Sequence, residues 1–162
     1  MKIAFCFPGQ GSQDVGMGRA IAEEFPVARA AYDEASDAVG FDVAKLCFEG
    51  SMEELTRTEL QQPALVTTSI ACLRAVETLG IEPDYVIGHS VGEYSALAAA
   101  DAIGTGDAVA LVRERGEAMA EAARETPGAM AAVLGLDDAT VEELCRGIDG
   151  VWPANYNCPG QI

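Results

Sequence analysis

Five residues near the middle of the chain have the types and spacing for acyl-group chemistry: Gly88-His89-Ser90-Val91-Gly92, a G-x-S-x-G. A serine hydroxyl is a weak nucleophile until the backbone presents it and neighbouring groups take its proton and stabilise the oxyanion it creates. A strand that turns abruptly into a helix does the presenting. Such a turn leaves no room for side chains on either flank, so glycine is needed at both. It also sets the serine at a helix N-terminus, where unpaired N–H groups and the helix dipole favour negative charge. The N–H of Val91 is then a natural oxyanion donor. The motif is short and needs its context. Here an apolar strand-like run, 84–88, leads into it, and an Ala-rich helical segment, 91–100, follows.

An activated serine normally leans on a histidine, and His89 is the only one in the chain. Adjacent residues in a sharp elbow project in different directions. His89 is therefore expected to pack beneath the turn, and the general base is expected beyond residue 162. A second candidate segment is the loop Pro8-Gly9-Gln10-Gly11-Ser12-Gln13, directly after the first strand. An α/β sheet places its ligand loops there, and two glycines let the backbone approach a ligand. The loop lacks the Gly-Lys-Ser/Thr ending of a P-loop. A third is Arg113-Glu114-Arg115-Gly116 inside an amphipathic helix. A guanidinium suits a carboxylate, with two parallel hydrogen bonds. Arginines two apart on a helix do not share a face, so at most one faces a site, and the spacing does not say which.

Hydropathy and punctuation imply the elements that must hold these groups. Residues 2–7 read as a buried strand and 17–39 as helical. Ser51 with Glu54 is a capping box before a short helix. Residues 63–79 form a strong helical pattern, with Pro63 near its start and Gly80 as its stop. Residues 105–124 form another. Thr126-Pro127-Gly128 is a break. Beyond it, 129–134 reads as a strand, 137–146 as a helix and 151–154 as a strand. The last residues, 158–162, read as a turn leading into a strand that is missing.

Composition narrows the function classes. The 162 residues are 49% apolar, enough for a core, and the formal net charge is −16, with only two lysines and eight arginines. Such a surface repels nucleic acid and anionic lipid, so any anion site must be local. No run of eighteen apolar residues occurs, and Pro8-Gly9 cuts off the N-terminal apolar run before it could serve as a signal peptide. Cys6, Cys47, Cys72, Cys145 and Cys158 form no CxxC pair, which argues against a zinc site and for reduced thiols in the cytoplasm.

Taken in order, Phe7-Pro8-Gly9-Gln10-Gly11-Ser12-Gln13, Gln61-Gln62-Pro63-Ala64, Gly88 to Leu97, Val112 to Gly116, Gly128 to Val133 and Asn155 to Gln161 closely resemble the malonyl-CoA:acyl carrier protein transacylases and the acyltransferase domains of polyketide synthases. The resemblance runs from residue 3 to the last residue. It implies an α/β fold: a large α/β-hydrolase-like domain with a parallel sheet, here incomplete in 1–125, and the start of an inserted ferredoxin-like subdomain in 126–162. It implies Ser90 as nucleophile, the N–H groups of Gln10 and Val91 as oxyanion hole, and Arg115 as the ligand of the malonyl carboxylate. Asn155 and Asn157 match a segment taken as structural. Malonyl-CoA is the implied substrate and acyl carrier protein the implied partner, with no metal or redox cofactor, no nucleic acid and no membrane. The family's catalytic histidine lies after the small subdomain, so the chain reads as an N-terminal fragment. A sequence that opens on its first strand suggests a stand-alone enzyme. Asp101 stands where the family usually has Gly, and Cys158 where Ser is common. Two rivals remain: a serine esterase or thioesterase, which shares the elbow but needs no arginine for a carboxylate, and a catalytically incomplete fragment that only binds a partner.

Overall fold

The computed structural model describes residues 2–162; Met1 lies outside the described residues. The chain divides into two compact units, Met1–Thr126 and Pro127–Ile162.

The first unit is helices wrapped on a small parallel sheet. Strands β1 (Ala4–Phe7) and β2 (Tyr85–Gly88) pair in register, Ala4 opposite Tyr85 and Phe7 opposite Gly88. Only Phe7 of these eight residues is buried. The first strand was expected to be buried. It is half-exposed because one face of the sheet is covered, Phe5, Phe7 and Val86 packing against Leu73 and Ala96, while Ala4, Cys6, Tyr85 and Ile87 on the opposite face are exposed.

Between the strands run α1 (Arg19–Glu24), α2 (Pro26–Val39), α3 (Val43–Glu49), α4 (Met52–Thr56) and α5 (Thr58–Glu77). The helical stretch expected over 17–39 is two helices. Pro26 has no N–H and pushes the residue before it out of the helical region, and Phe25 is extended at φ −114°, ψ 111°. Helix α3, which the pattern did not suggest, is capped by Asp42, whose side chain accepts from the Lys45 N–H at 2.8 Å. The capping box at Ser51 and Glu54 forms in full at the head of α4.

Helix α5 carries the core, packing against α2, α6 (Gly92–Ala99) and α7 (Thr105–Glu125). Its inner face includes Ala64, Val66, Ile70 and Ala71, all nearly inaccessible. It begins at Thr58, so Pro63 lies inside the helix instead of near its start. A proline there leaves the carbonyl four residues back without its N–H partner. That carbonyl belongs to Glu59, and Arg113 Nη1 donates to it at 3.0 Å. An arginine from α7 repairs the defect and ties the two helices together. Gly116 makes the same junction close, since a Cβ there would stand 2.8 Å from the Glu59 Cα and the Thr58 carbonyl oxygen.

The second unit contains α8 (Asp138–Arg146), capped by Asp137. The strands expected over 129–134 and 151–154 do not form. A strand exists only through a partner, and the pairing present is confined to isolated bridges, Leu134 with Gln161 and Cys158 with Gln161. Val133 and Ile162 exchange backbone hydrogen bonds at 2.7 and 3.2 Å, so residue 162 is already paired where a missing strand was expected.

Candidate active site

Sterics on both sides make the elbow. A Cβ on Gly88 would stand 2.2 Å from the Gly92 carbonyl, and one on Gly92 would stand 2.4 Å from the Phe7 oxygen. No rotamer relieves a clash with backbone. The chain therefore passes from β2 to α6 with nothing but hydrogen at both glycines, and the strain concentrates on Ser90, at φ +53°. A non-glycine residue held there costs about 1–3 kcal/mol and persists only where its surroundings impose it. Ser90 is exposed, and Val91, just inside α6, is wholly buried.

The 8–13 loop lies against this elbow. The ladder continues past β2 through the His89 N–H, which donates to the Phe7 carbonyl at 3.0 Å. A Cβ on Gly9 would stand 2.4 Å from His89 Nδ1, so the imidazole packs on the loop, but His89 is exposed and does not lie buried beneath the turn as expected, because the surface of the 8–13 loop is its contact. Ser12 Oγ donates to the Gly9 carbonyl at 2.8 Å and tightens the turn. Among the described residues, neither the Gln10 N–H nor the Val91 N–H donates a hydrogen bond.

Helix α7 sends Arg113 and Arg115 apart. Arg113 goes to Glu117 at 2.6 Å and to the Glu59 carbonyl. Arg115 goes to the elbow: Nη2 donates to Ser90 Oγ at 3.1 Å and Nη1 to Gln62 Oε1 at 2.6 Å. The structure so makes the choice that the spacing left open. Gln62 is fully buried, its Nε2 donating to Met119 Sδ at 3.3 Å. Beside it Gln61, 4% exposed, accepts from Gln10 Nε2 at 2.5 Å. Sequence reasoning assigned neither glutamine a role. Two adjacent amides at the head of a largely apolar helix are a signal, because a buried amide must be hydrogen-bonded.

The site therefore joins four elements: the 8–13 loop, the start of α5, the elbow and the middle of α7. It offers an exposed hydroxyl, a guanidinium beside it and undonated N–H groups nearby. No group of three or more His, Cys, Asp or Glu among the described residues is placed to hold a metal ion. A separate cavity of about 400 Å³ between β1 and α5, lined by Phe5, Cys6, Phe7, Cys72, Leu73 and Val76 among others, takes in neither Ser90 nor Arg115.

A serine on a strand-to-helix elbow is a geometry of acyl-group enzymes, and the acyl transferase domain family matches residues 4–162; the chain belongs to that family. It is 51% identical to the malonyl CoA-acyl carrier protein transacylase of Bacillus subtilis, over 99% of this chain and 52% of the relative. It is 47% identical to the enzyme of the same name from Escherichia coli, over 99% of this chain and 53% of the relative. Among solved structures it is similar to the malonyl CoA-acyl carrier protein transacylase of Coxiella burnetii, with TM-score 0.93 and 40% identity over 99% of this chain and 52% of that one. A malonyl-transacylase in complex with a type II polyketide acyl carrier protein gives TM-score 0.92 and 42% identity, over 99% of this chain and 53% of that one. The chain spans about half the length of the curated relatives it matches.

Proposed function

We propose that the chain carries the nucleophile half of a malonyl-CoA:acyl carrier protein transacylase. The observation that carries this reading is Arg115 Nη2 at 3.1 Å from Ser90 Oγ. A fixed cation beside the nucleophile favours an acyl group with a carboxylate at its far end, since an uncharged chain would leave the guanidinium without its anion. The names of the relatives agree.

Ser90 Oγ attacks the thioester carbonyl of malonyl-CoA and gives its proton to a general base. The tetrahedral oxyanion rests on the N–H groups of Gln10 and Val91, each contributing about 3 kcal/mol of barrier lowering. The C–S bond breaks, coenzyme A leaves as the thiol, and malonyl-Ser90 remains. The phosphopantetheine thiol of acyl carrier protein then attacks the ester and frees Ser90. His89 packs on Gly9, and by the family resemblance the base is a histidine outside these 162 residues, supplying about a hundred- to ten-thousand-fold in rate. The steps need no metal or redox cofactor. In this reading the first unit is part of an α/β-hydrolase-like domain and the second begins a ferredoxin-like one, working in the cytoplasm. No helix of the structure is long and apolar enough to cross a membrane.

Intact-protein mass after mixing with malonyl-CoA tests the reading. One added malonyl group is expected, absent in Ser90→Ala and reduced in Arg115→Ala. Transfer to water in preference to a pantetheine thiol would replace it with the hydrolase reading. An adduct that survives Ser90→Ala would overturn it.

A further inference from the structure

Gln61 has a buried side chain and no part in the steps above, yet it meets the loop that carries a proposed oxyanion donor. Its Oε1 accepts from Gln10 Nε2 at 2.5 Å, and it is 4% exposed. Gln10 itself is exposed; Pro8 and Gly9 before it are held against Gly92 and His89 of the elbow, and Gly11 after it is not. Gly11 sits at φ +99° with no heavy atom within 4 Å of where a Cβ would be. The remaining side-chain ties, from Ser12 to Gly9 and from the Gly11 N–H to Gln13, are internal to the loop. The Gln10–Gln61 bond is the side-chain tie that runs from the loop to the rigid core.

Its anchor is firm. Gln61 lies in the first turns of α5, where Arg113 holds the Glu59 carbonyl and Gly116 brings α7 into backbone contact with Thr58 and Glu59. The next residue, Gln62, fixes Arg115. We propose that Gln61 is a positioning residue: its buried amide holds the Gln10 side chain so that the Gln10 backbone N–H faces the oxyanion formed at Ser90. Adjacent glutamines on one helix thus set the loop and the guanidinium in a common frame. An oxyanion donor works only when it is in place before the charge develops, and a displacement of about 1 Å costs on the order of a hundredfold in rate.

The proposal rests on Ser90 as nucleophile and Gln10 as oxyanion donor, so its test reads Ser90 by two routes in protein expressed from its full gene. A fluorophosphonate probe reports oxyanion stabilisation at Ser90 whatever the natural acyl group, and malonyl-CoA reports acyl transfer. Gln61→Leu is expected to slow both by about ten- to a hundredfold, with the half-saturating malonyl-CoA concentration nearly unchanged. Gln61→Glu, which keeps an acceptor for Gln10 Nε2, is expected to stay within about threefold of the parent in both. Adding Gln61→Leu to Gln10→Ala is expected to slow labelling no further, because a tie already cut has nothing left to lose. Additive losses in that double variant, or a Gln61→Leu loss that falls on substrate binding alone, overturn the proposal. Fluorophosphonate labelling without malonyl transfer would overturn the malonyl reading and leave the Gln61 test running. Labelling by neither would remove Ser90 as nucleophile, and the proposal with it.

Discussion

Arg115 and Ser90 share a hydrogen bond of 3.1 Å although 25 residues separate them. The contact places a positive charge on the elbow hydroxyl. In the proposed reaction an incoming carboxylate takes the guanidinium from the hydroxyl, which frees the hydroxyl to react. Arg115→Ala is expected to raise loading from acetyl-CoA relative to malonyl-CoA by about a hundredfold, since a neutral acyl group then leaves no cation unpaired. Arg115→Lys should fall between, because a single ammonium does not reproduce a planar fork reaching Gln62 and Ser90 together. Competitive loading followed by mass spectrometry reads the ratio.

The elbow glycines give a stability prediction with its own control. Gly88→Ala and Gly92→Ala drive a methyl into backbone at 2.2 and 2.4 Å, and each is expected to cost about 3 kcal/mol. Gly106→Ala, in α7, meets nothing nearer than the Ala38 Cβ at 3.9 Å. It should stabilise by about 0.5 kcal/mol through helix propensity and a less flexible unfolded chain. Urea midpoints rank the three.

Asp101 sits at φ +54°, a conformation that suits glycine. Asp101→Gly is expected to raise stability by about 0.5–1 kcal/mol, relief of strain outweighing the added freedom of the unfolded chain. A higher denaturant midpoint with unchanged slope is the sign to look for.

Two buried groups set the alkaline limit. Burial pushes the Cys47 thiol up to about 12, and burial likewise raises the Tyr32 phenol, against the pull of its hydrogen bond with Thr68. Both hold their protons more tightly folded than unfolded. Their contribution is therefore complete below about pH 8.5 and falls as pH rises toward 12, by about 1.4 kcal/mol per unit for each group while it lies between its two pKa values. Melting temperatures should drop over that range. Alkylation at pH 8 should mark the exposed Cys6 and Cys158 and spare Cys47.

Pro63 and Arg113 should be coupled. Arg113→Ala strands the Glu59 carbonyl only while residue 63 lacks an N–H. The arginine substitution is expected to cost about 1 kcal/mol more in the parent than in Pro63→Ala. A double-mutant cycle by chemical denaturation measures the difference.

The elbow was legible because its glycines are a local steric demand that sequence states outright. The positive φ of Ser90 and the 2.2 Å approach at Gly88 are that demand in three dimensions. The capping boundary at Ser51 was legible for the same reason. What failed depended on distant partners. Pro63 reads as a start signal, and only Arg113, fifty residues on, lets α5 begin at Thr58. Residues 129–134 and 151–154 have strand-like composition, but pairing reaches only Val133 and Leu134 of the first and none of the second. In the site, the elbow was plain from its motif, and the resemblance singled out Arg115, which the spacing by itself did not separate from Arg113 and which the structure places at the Ser90 hydroxyl. The two glutamines gained meaning once Gln10 and Arg115 were seen reaching them.

The acidic surface and the Arg115 guanidinium act on an anion over different distances. The formal charge of −16 repels an anion over about 30 Å in 0.01 M salt but only about 8 Å at physiological ionic strength. The guanidinium beside Ser90 attracts one only at contact. Added salt therefore eases the approach of an anion while leaving the contact itself less affected, and the capture of anions at this elbow is expected to quicken from dilute buffer to moderate salt.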